Sequence, residues 1–536
     1  MSLPTDCNYE HISEEFVPGC KYVALRCVAA TASTLTVVML YFVSRNFGAT
    51  VWGALLASGL LLFDMLSNIQ GRLVLLDVQL SFWCTASLML AQMWWRRLNE
   101  HFDAEDREAG ALGAGGGGGS AGGILGDEDE DGLDDAGGAG VSASPFGGAS
   151  PFGGASPAAA SSAQRTRRAG GASALAAGGG GGGGLPVLGA MYALYARCVS
   201  ALLPPAPGVA AAPARLLGAL ERNAWSVGLG FVCANAFSVK MTGAVTPFLV
   251  AVESFFGLWF LRRGAPFLDL LKVLVVGMLT YAGWFAVHFA ILTRHGDGDE
   301  EFTSVQFQST LLENKHYDPT AHWEGFWYTF YSLNHRMIVH NANILAPHPW
   351  MSSWWEWILN LRGVAYYGKD FPHTYTGAVY LIGNHAVHYM VIAALAAFAV
   401  CVALYLRVRP FAARMGMKGL GLGALGEAAA AGARSPALTQ FFASGSFCVA
   451  AYCLNLLPYL GVARSTFIYH YMPALIYGEL LTARVVEHLA GRHTPQAARV
   501  VLLIAGLVWL HYTPWIYGFP LTNDAHQRRR WMPRWD

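Results

Sequence analysis

Charged residues are scarce in this 536-residue sequence, in which Asp, Glu, Lys and Arg make up only 13% of the chain. Soluble domains carry about 25% charged residues, so this composition excludes an ordinary soluble protein. Hydrophobic residues make up 54% of the chain, and the mean hydropathy is +0.35. Acidic and basic residues balance at 35 each, and nothing in the sequence indicates binding to nucleic acid. The composition predicts a protein that crosses a membrane several times.

Other familiar signals are also absent. The nine cysteines are scattered without a CxxC or metal-ligand spacing, so no metal site is predicted. Cys7 and Cys20 share a polar N-terminal segment and could pair in an oxidising compartment or stay reduced. The sequence has no Asn-x-Ser/Thr sequon, and its polar, acidic beginning is not a secretory signal.

Apolar runs of the length that a transmembrane helix needs, about 20 residues, recur along the chain. We predict spans at about 22–44, 48–66, 73–95, 224–241, 243–261, 269–293, 382–406, 440–461, 466–487 and 498–517. The predicted fold class is therefore an all-α polytopic membrane protein with about ten transmembrane helices.

A long insert of low complexity, residues 103–220, separates the third span from the fourth. It contains the acidic run DEDEDGLDD, the repeat SPFGGASPFGGASP and a glycine tract. Such a composition buries too little apolar surface to fold, which predicts a disordered loop.

Lys and Arg set the orientation, because cytosolic loops carry an excess of them. Arg96–Arg97, Arg165–Arg168 and Arg262–Arg263 fall on one side of the ten-span scheme, which we expect to be cytosolic. The predicted divisions are a luminal N-terminal segment (1–21), a first transmembrane group (22–102), the insert (103–220), a second transmembrane group (221–293), a luminal loop (294–381), a third transmembrane group (382–517) and a luminal tail (518–536). A luminal N-terminus leads us to expect a further apolar segment upstream of Met1.

The segment from Gly296 to Asn384 is rich in Trp, Tyr, His and Asn. Rings with one apolar and one polar edge suit a membrane–water boundary. They equally suit a site that binds a sugar or a peptide. The sequence leaves both interpretations open.

Several ionisable residues lie at helix ends on the predicted luminal side. A charge in the bilayer centre costs about 2.5–3.5 kcal/mol on insertion scales, so such residues line a cavity or pair with one another. One interpretation is pairing, for instance of Arg72 with Asp64 or Asp77. The other is an anionic lipid headgroup, because arginine forks and lysine charges suit a phosphate. The cations predicted to bind a lipid phosphate are Arg464, Lys240, Arg26 and Arg72.

Short motifs also follow one another along nearly the whole chain outside the insert. In order they are KYVALR (21–26), FD with GRLVLLD (63–77), FSVKMTG (237–243), GDGDEEFTSVQFQSTL (296–311), NANILAPHPWMSSWWEWILNLRGVAYY (341–367), YLIGN (380–384), LPYLGVARSTFIYHYMPAL (457–475) and PWIYGFPLT (514–522). The ordered set closely resembles the protein O-mannosyltransferases.

This resemblance implies a GT-C-type glycosyltransferase of the endoplasmic reticulum membrane with its active site facing the lumen. Members of the family move mannose from dolichyl-phosphate mannose to Ser or Thr hydroxyls of secretory proteins, with inversion at the anomeric carbon. The lipid-linked donor takes the place of a cofactor, and no metal is expected. The resemblance also implies a dimer with a related mannosyltransferase.

The sequence departs from the family pattern in three ways. The family's catalytic Asp-Glu pair is expected upstream of Met1, so no catalytic base is assigned and the chain alone is expected not to transfer mannose. The luminal loop has no room for the family's β-trefoil MIR domain, and Tyr469 stands where many relatives have a second histidine. The alternative to an enzyme is therefore a catalytically silent subunit of a mannosyltransferase dimer.

The matching motifs imply further site residues. Those expected to support the reaction site are Asp64, Asp77, His348 and His470, although both histidines also suit an ordinary hydrogen-bonded structural role. Those assigned to the acceptor or sugar site are Gln308, Asn343, Trp354, Glu356 and Tyr471.

Overall fold

The computed structural model describes residues 22–73, 75–115, 212–372, 374–414 and 435–535. These residues belong to one compact unit, apart from the first turns of the helix that begins at Ala212, which belong to a second unit, Ser120–Glu221. Nearly all of that second unit lies outside the described residues. So do the predicted N-terminal segment, most of the insert, and Cys7 and Cys20, whose pairing the sequence left open.

Helices dominate the described residues. In chain order they are α1 (Tyr22–Asn46), α2 (Val51–Phe63), α3 (Met65–Arg72), α4 (Leu76–Gly115), α5 (Ala212–Val239), α6 (Val245–Phe256), α7 (Phe267–Ile291), α8 (Asp299–Phe302), α9 (Val305–Gln308), α10 (Phe326–Ala342), α11 (Trp354–Ile358), α12 (His385–Arg414), α13 (Pro436–Leu456), α14 (Met472–Ala490), α15 (Thr494–Tyr517) and α16 (Asn523–Gln527). Short 3₁₀ turns lie at Met241–Ala244, Leu457–Gly461, Ile468–Tyr471 and Gly491–His493. The helical membrane architecture predicted from the sequence is confirmed.

Judged by helix length and composition, the described part of the structure has fewer membrane crossings than the sequence predicted. Among the described residues, five helical segments are long and apolar enough to cross a membrane, or six if the bent pair α2–α3 is one span. Each of the other predicted spans also contains a helix, but α6 is short and α4 continues into a charged stretch. The count of ten is not confirmed.

The bend between α2 and α3 is built from Asp64 and Asn384. The two helices meet at 58°, and the Asp64 carboxylate accepts a hydrogen bond from the backbone N–H of Ser67 at 3.1 Å, which caps the start of α3. The Asn384 amide donates to the carbonyls of Phe63 (2.8 Å) and Ala505 (2.9 Å). Asn384 thus satisfies a carbonyl freed by the break and ties α2 to α15.

A small antiparallel sheet accompanies the helices, which the sequence analysis did not predict. Its strands are β1 (Val364–Phe371), β2 (Tyr375–Leu381) and β3 (Leu521–Thr522), in the order β1-β2-β3. A bulge between Ala365 and Tyr367 interrupts the register of β1. The sheet joins the central loop to the tail that follows α15.

Both ends of the predicted insert are helical where the structure describes them. Helix α4 continues to Gly115 and α5 begins at Ala212. Ion pairs stabilise the extension of α4, because Arg262 pairs with Asp103 and Arg263 with Glu105. A disordered loop from 103 is therefore wrong for these first residues.

Glu479 in α14 gives a prediction about stability. Its side chain is fully buried, and neither carboxylate oxygen has a hydrogen-bond partner among the described residues. Because an unsatisfied buried polar group is destabilising, Glu479→Met should raise the free energy of unfolding by about 1–2 kcal/mol. Thermal or denaturant unfolding in detergent measures this change.

Glu487 in the same helix supplies the matched control. Its carboxylate pairs with Arg484 at 2.6 Å and accepts from the backbone N–H of Thr50 at 2.6 Å. Glu487→Met should therefore destabilise the protein. Equal losses for the two variants would show that the Glu479 carboxylate is satisfied after all.

Candidate functional site

Lys240 lies in a break between α5 and the 3₁₀ turn that follows. Its backbone is extended (φ −162°, ψ 137°), so the side chain leaves the helix direction. Its Nζ lies 2.8 Å from Asp77 Oδ1, at the start of α4. Gly243 permits this tight break, since a Cβ there would lie only 2.1 Å from the carbonyl oxygen of Ala236.

Arg464 lies in a non-helical segment between α13 and α14. Its guanidinium donates to Asn341 Oδ1 and lies 3.3 Å from His470 Nε2. His470 Nδ1 lies 3.0 Å from the Phe467 carbonyl, so a neutral ring with its proton on Nδ1 can donate there and accept from Arg464. Both partners of Arg464 are then neutral, and the guanidinium charge has no counter-ion among the described residues.

Lys240 and Arg464 line one cavity of about 760 Å³, which we call the cationic cavity. One part of its lining is polar and comes from widely separated parts of the chain: Lys240, Thr242, His288, Asp299, Asn341 and Arg464. The apolar part includes Trp284 and Phe285 of α7 and Leu333 and Met337 of α10. The cavity therefore combines cations with hydrophobic walls.

Charge in the cavity is not evenly compensated. Asp77 neutralises Lys240 at 2.8 Å, and Asp299 is held by His295 at 3.2 Å and by the backbone N–H of Gly296 at 2.7 Å. Among the described residues, no carboxylate pairs with the Arg464 guanidinium, so its charge is not compensated. Such an arrangement favours an anion beside Arg464.

Tyrosines surround the Lys240–Asp77 pair. The Tyr469 ring lies 5.2 Å from Lys240 Nζ, in the geometry of a cation–π contact. Tyr366, at the bulge of β1, accepts a hydrogen bond from Gln70 Nε2 at 2.9 Å. Burial, together with the nearby Tyr469 and Asp77, raises the pKa of Tyr366, so its hydroxyl stays protonated at neutral pH.

The structure does not bring the other two predicted cations to the cationic cavity. Arg72 donates to the carbonyl of Ile516 and stacks 4.2 Å from the ring centre of Tyr517. Arg26 lies on α1, and neither arginine is part of the cavity lining. Of the four cations predicted to bind a lipid phosphate, two therefore line the cationic cavity.

Two of the residues expected to support the reaction are at this site, and two are elsewhere. Asp77 forms an ion pair with Lys240, and His470 Nε2 lies within hydrogen-bond distance of the Arg464 guanidinium. Asp64 caps α3 within the helix bend. His348 lies in an exposed loop, where it accepts from the backbone N–H of Trp350 at 3.1 Å.

The residues assigned to the acceptor or sugar site are not part of the cavity lining. Gln308 donates to the backbone carbonyls of Asp299 and Thr303, at 3.0 and 3.2 Å. Asn343 ends α10 and is exposed. Their role in binding stays a prediction.

The remaining three of these residues make structural contacts. Tyr471 is buried, with its hydroxyl 2.8 Å from that of Tyr452. Trp354 packs against the core, while Glu356 caps α11 and pairs with Arg534.

Sequence reasoning missed several residues of this site. Asn341, His288 and Asp299 line the cavity without having been assigned. Asn341 lies one residue before the end of α10, and its polar side chain beside an apolar helix was a usable signal. The contact of Tyr366 with Gln70 joins residues 296 positions apart and had no local signal.

Comparison with known proteins supports the resemblance. A family model described as dolichyl-phosphate-mannose-protein mannosyltransferase matches residues 2–107, and one described as the C-terminal four TMM region of protein-O-mannosyltransferase matches residues 326–535. Together the two matches cover more than half of the chain.

Individual relatives agree over shorter regions. Dolichyl-phosphate-mannose--protein mannosyltransferase 5 of Candida albicans is 22% identical over 220 residues, which is 40% of this chain and 28% of the relative. Protein O-mannosyltransferase 1 of Drosophila pseudoobscura is 26% identical over 228 residues, which is 40% of this chain and 23% of the relative. The match thus spans about a quarter of the length of these curated relatives.

A solved structure shares the fold. It is the protein O-mannosyltransferase Pmt1-Pmt2 complex of Saccharomyces cerevisiae bound to the sugar donor. The TM-score is 0.61 at 15% identity, with 98% of this chain and 82% of that chain covered. The GT-C-type fold class predicted from the sequence is confirmed, and the chain belongs to the protein O-mannosyltransferase family.

Proposed function

We propose that this protein transfers mannose from dolichyl-phosphate mannose to Ser or Thr hydroxyls of secretory proteins. One observation carries the proposal: Arg464 and Lys240 share a cavity that also has an apolar wall, formed by residues of α7 and α10. A lipid-linked sugar phosphate needs this combination of a cation for its phosphate and a hydrophobic path for its tail.

Arg464 is the residue best suited to the phosphate. Its hydrogen-bond partners, Asn341 and His470, are neutral, whereas Lys240 already has Asp77. A buried or half-buried charge without a counter-ion is costly, and a bound phosphate would supply the missing anion. Arginine can also donate two hydrogen bonds to two phosphate oxygens at once.

A second cavity supports a lipid donor over a water-soluble one. It has a volume of about 610 Å³ and is lined by Trp94 of α4 and by residues of α5, α6 and α7, nearly all of them apolar. Phe237 and Tyr281, whose rings lie 5.0 Å apart, belong to this second cavity. Ser238 and Trp284, which neighbour them in the same helices, line the cationic cavity. We expect the isoprenoid tail to occupy the second cavity while the phosphate binds in the cationic cavity.

The reaction gives these residues a chemical role. The acceptor hydroxyl attacks the anomeric carbon of mannose and loses its proton to a carboxylate, while the dolichyl phosphate leaves as an anion. Arg464, supported by Lys240, would stabilise the negative charge on that leaving phosphate. The aromatic and aliphatic walls of the cavity would limit the access of water to the sugar.

The cellular setting of the proposal is the endoplasmic reticulum, with the cationic cavity on the luminal face and a related mannosyltransferase as partner subunit. Support comes from relatives named as mannosyltransferases and from the two-subunit composition of the solved complex. The second candidate function, a silent subunit of such a dimer, uses the same donor site without catalysing transfer.

A transfer assay separates these functions. The full chain in lipid nanodiscs is given dolichyl-phosphate mannose with a labelled sugar and a Ser/Thr peptide, alone and with a related mannosyltransferase. Label on the peptide that is lost with Arg464→Ala establishes the enzyme. Donor binding without transfer by the chain alone, together with transfer in the paired setting that Arg464→Ala leaves unchanged, identifies the silent subunit. Absence of donor binding by the chain alone contradicts both functions.

A further inference from the structure

The outer side of helix α10 is mainly aromatic and apolar. Its inner side contributes Phe330, Leu333 and Met337 to the packing against the end of α7 and the following turns. Its outer side exposes Trp327 (70%) and Tyr331 (68%), and Ile338 (55%) lies on the same side two turns later. His335 is the polar residue on this side, and its ring stacks on that of Tyr331. A surface helix in water carries mostly polar residues on its outer side, so an outer side made mainly of large aromatic and aliphatic residues indicates a different environment.

The contacts of α10 with α7 place it at the depth of the membrane. Phe330 packs against Phe285 at 5.1 Å and Tyr281 at 5.9 Å between ring centres, and Asn334 Oδ1 accepts a hydrogen bond from the Tyr281 hydroxyl at 2.5 Å. Phe285 and Tyr281 precede the end of α7 at Ile291 by about 9 and 15 Å along the helix axis. The hydrocarbon core is about 30 Å thick, so these contacts lie well within it.

Helix α7 itself faces outward. It is one of the candidate membrane spans, and none of its most apolar window is buried within the protein. A helix packed beside the last three turns of such a span shares the surroundings of that span. The outer side of α10 is therefore continuous with a surface that lipid covers.

We propose that α10 is an interfacial membrane helix whose Trp327, Tyr331 and Ile338 side contacts the lipid of one leaflet. Its 17 residues are too few to span the bilayer, and it lies beside α7 without crossing to the other face. Trp and Tyr suit this position because their rings enter the hydrocarbon while their polar atoms reach the headgroups.

This placement has a consequence for the cationic cavity. Leu333 and Met337, on the inner side of α10, line that cavity. With lipid against its outer side, α10 forms the wall between the cavity and the bilayer. The placement follows from the contacts with α7 and stands independently of the proposed function.

Site-specific photocrosslinking tests the lipid contact. The full chain carrying Tyr331→p-benzoylphenylalanine is reconstituted in phosphatidylcholine vesicles and irradiated, and the mass of each adduct is measured. The control is Lys315→p-benzoylphenylalanine, because Lys315 is exposed and pairs only with the exposed Glu300 at 2.7 Å. Lipid adducts at position 331 should exceed those at position 315 at least tenfold.

Ile338→p-benzoylphenylalanine repeats the measurement should the first variant fail to fold, since Ile338 lies on the same side of the helix. Lipid adducts no more frequent than at position 315 would show that the surface faces water. Adducts to a second copy of the chain, or to another protein in native membranes, would show a protein interface. Either result overturns the proposal.

Discussion

Arg464→Ala is expected to weaken the binding of dolichyl-phosphate mannose about 30- to 700-fold, which corresponds to about 2–4 kcal/mol. The reason is that the guanidinium has only neutral partners, Asn341 and His470, and is the uncompensated cation of the cavity. Removing it takes away the charge-assisted hydrogen bonds to the phosphate. Donor affinity of the purified protein in detergent or nanodiscs measures the effect.

Two further variants make this prediction specific. Arg464→Lys should restore only part of the affinity, because an ammonium cannot form the two parallel hydrogen bonds of a guanidinium. Arg294→Ala should leave the affinity unchanged, since Arg294 is exposed and pairs with Glu313 at 2.9 Å. An unchanged affinity of Arg464→Ala, together with a large loss of thermal stability, would leave Arg464 a purely structural residue.

Glu253→Ala is expected to lower the free energy of unfolding by about 2–4 kcal/mol. The fully buried carboxylate of Glu253 accepts hydrogen bonds from the backbone N–H groups of Leu258, Trp259, Phe260 and Leu261, at 2.6 to 2.9 Å. Alanine leaves these donors of the turn after α6 without partners. Thermal unfolding followed by circular dichroism in detergent measures the loss.

The amide variant separates hydrogen bonding from packing. Glu253→Gln keeps the shape and one accepting oxygen, so about half of the loss is expected. Glu253 lies near the end of α6 that is opposite to the Lys240 break. A change below about 0.5 kcal/mol for Glu253→Ala would show that water replaces the carboxylate without cost.

Two of the four predicted cations, Lys240 and Arg464, line the cationic cavity, but the sequence did not show which cations lie together. An arginine such as Arg464, with no acidic neighbour nearby in the chain, signals by itself the need for a distant partner. Which cations share a cavity depends on contacts between α4, α5 and the segment before α14, and these contacts have no local signal. The partners of Arg72 could not be predicted from the sequence. A carboxylate or a phosphate was expected, but the guanidinium contacts a backbone carbonyl and a tyrosine ring.

The missed elements have different causes. The hairpin of β1 and β2 occupies 364–381, where β-branched and aromatic residues flank a Pro-containing turn. The density of aromatic rings was instead interpreted as a membrane boundary or a binding site. The extension of α4 forms ion pairs with Arg262 and Arg263, which lie far away in the chain. The length of the apolar runs predicted where the helices lie. Contacts between residues far apart in the chain determine where several of these helices end or bend.

A structure of the protein with dolichyl-phosphate mannose bound tests the central claim most directly. The account predicts the phosphate within hydrogen-bond distance of the Arg464 guanidinium, near Lys240, with the isoprenoid tail leaving past Phe237 and Tyr281. A phosphate bound at Arg26 and Arg72 instead, with the cationic cavity empty of donor, would contradict it.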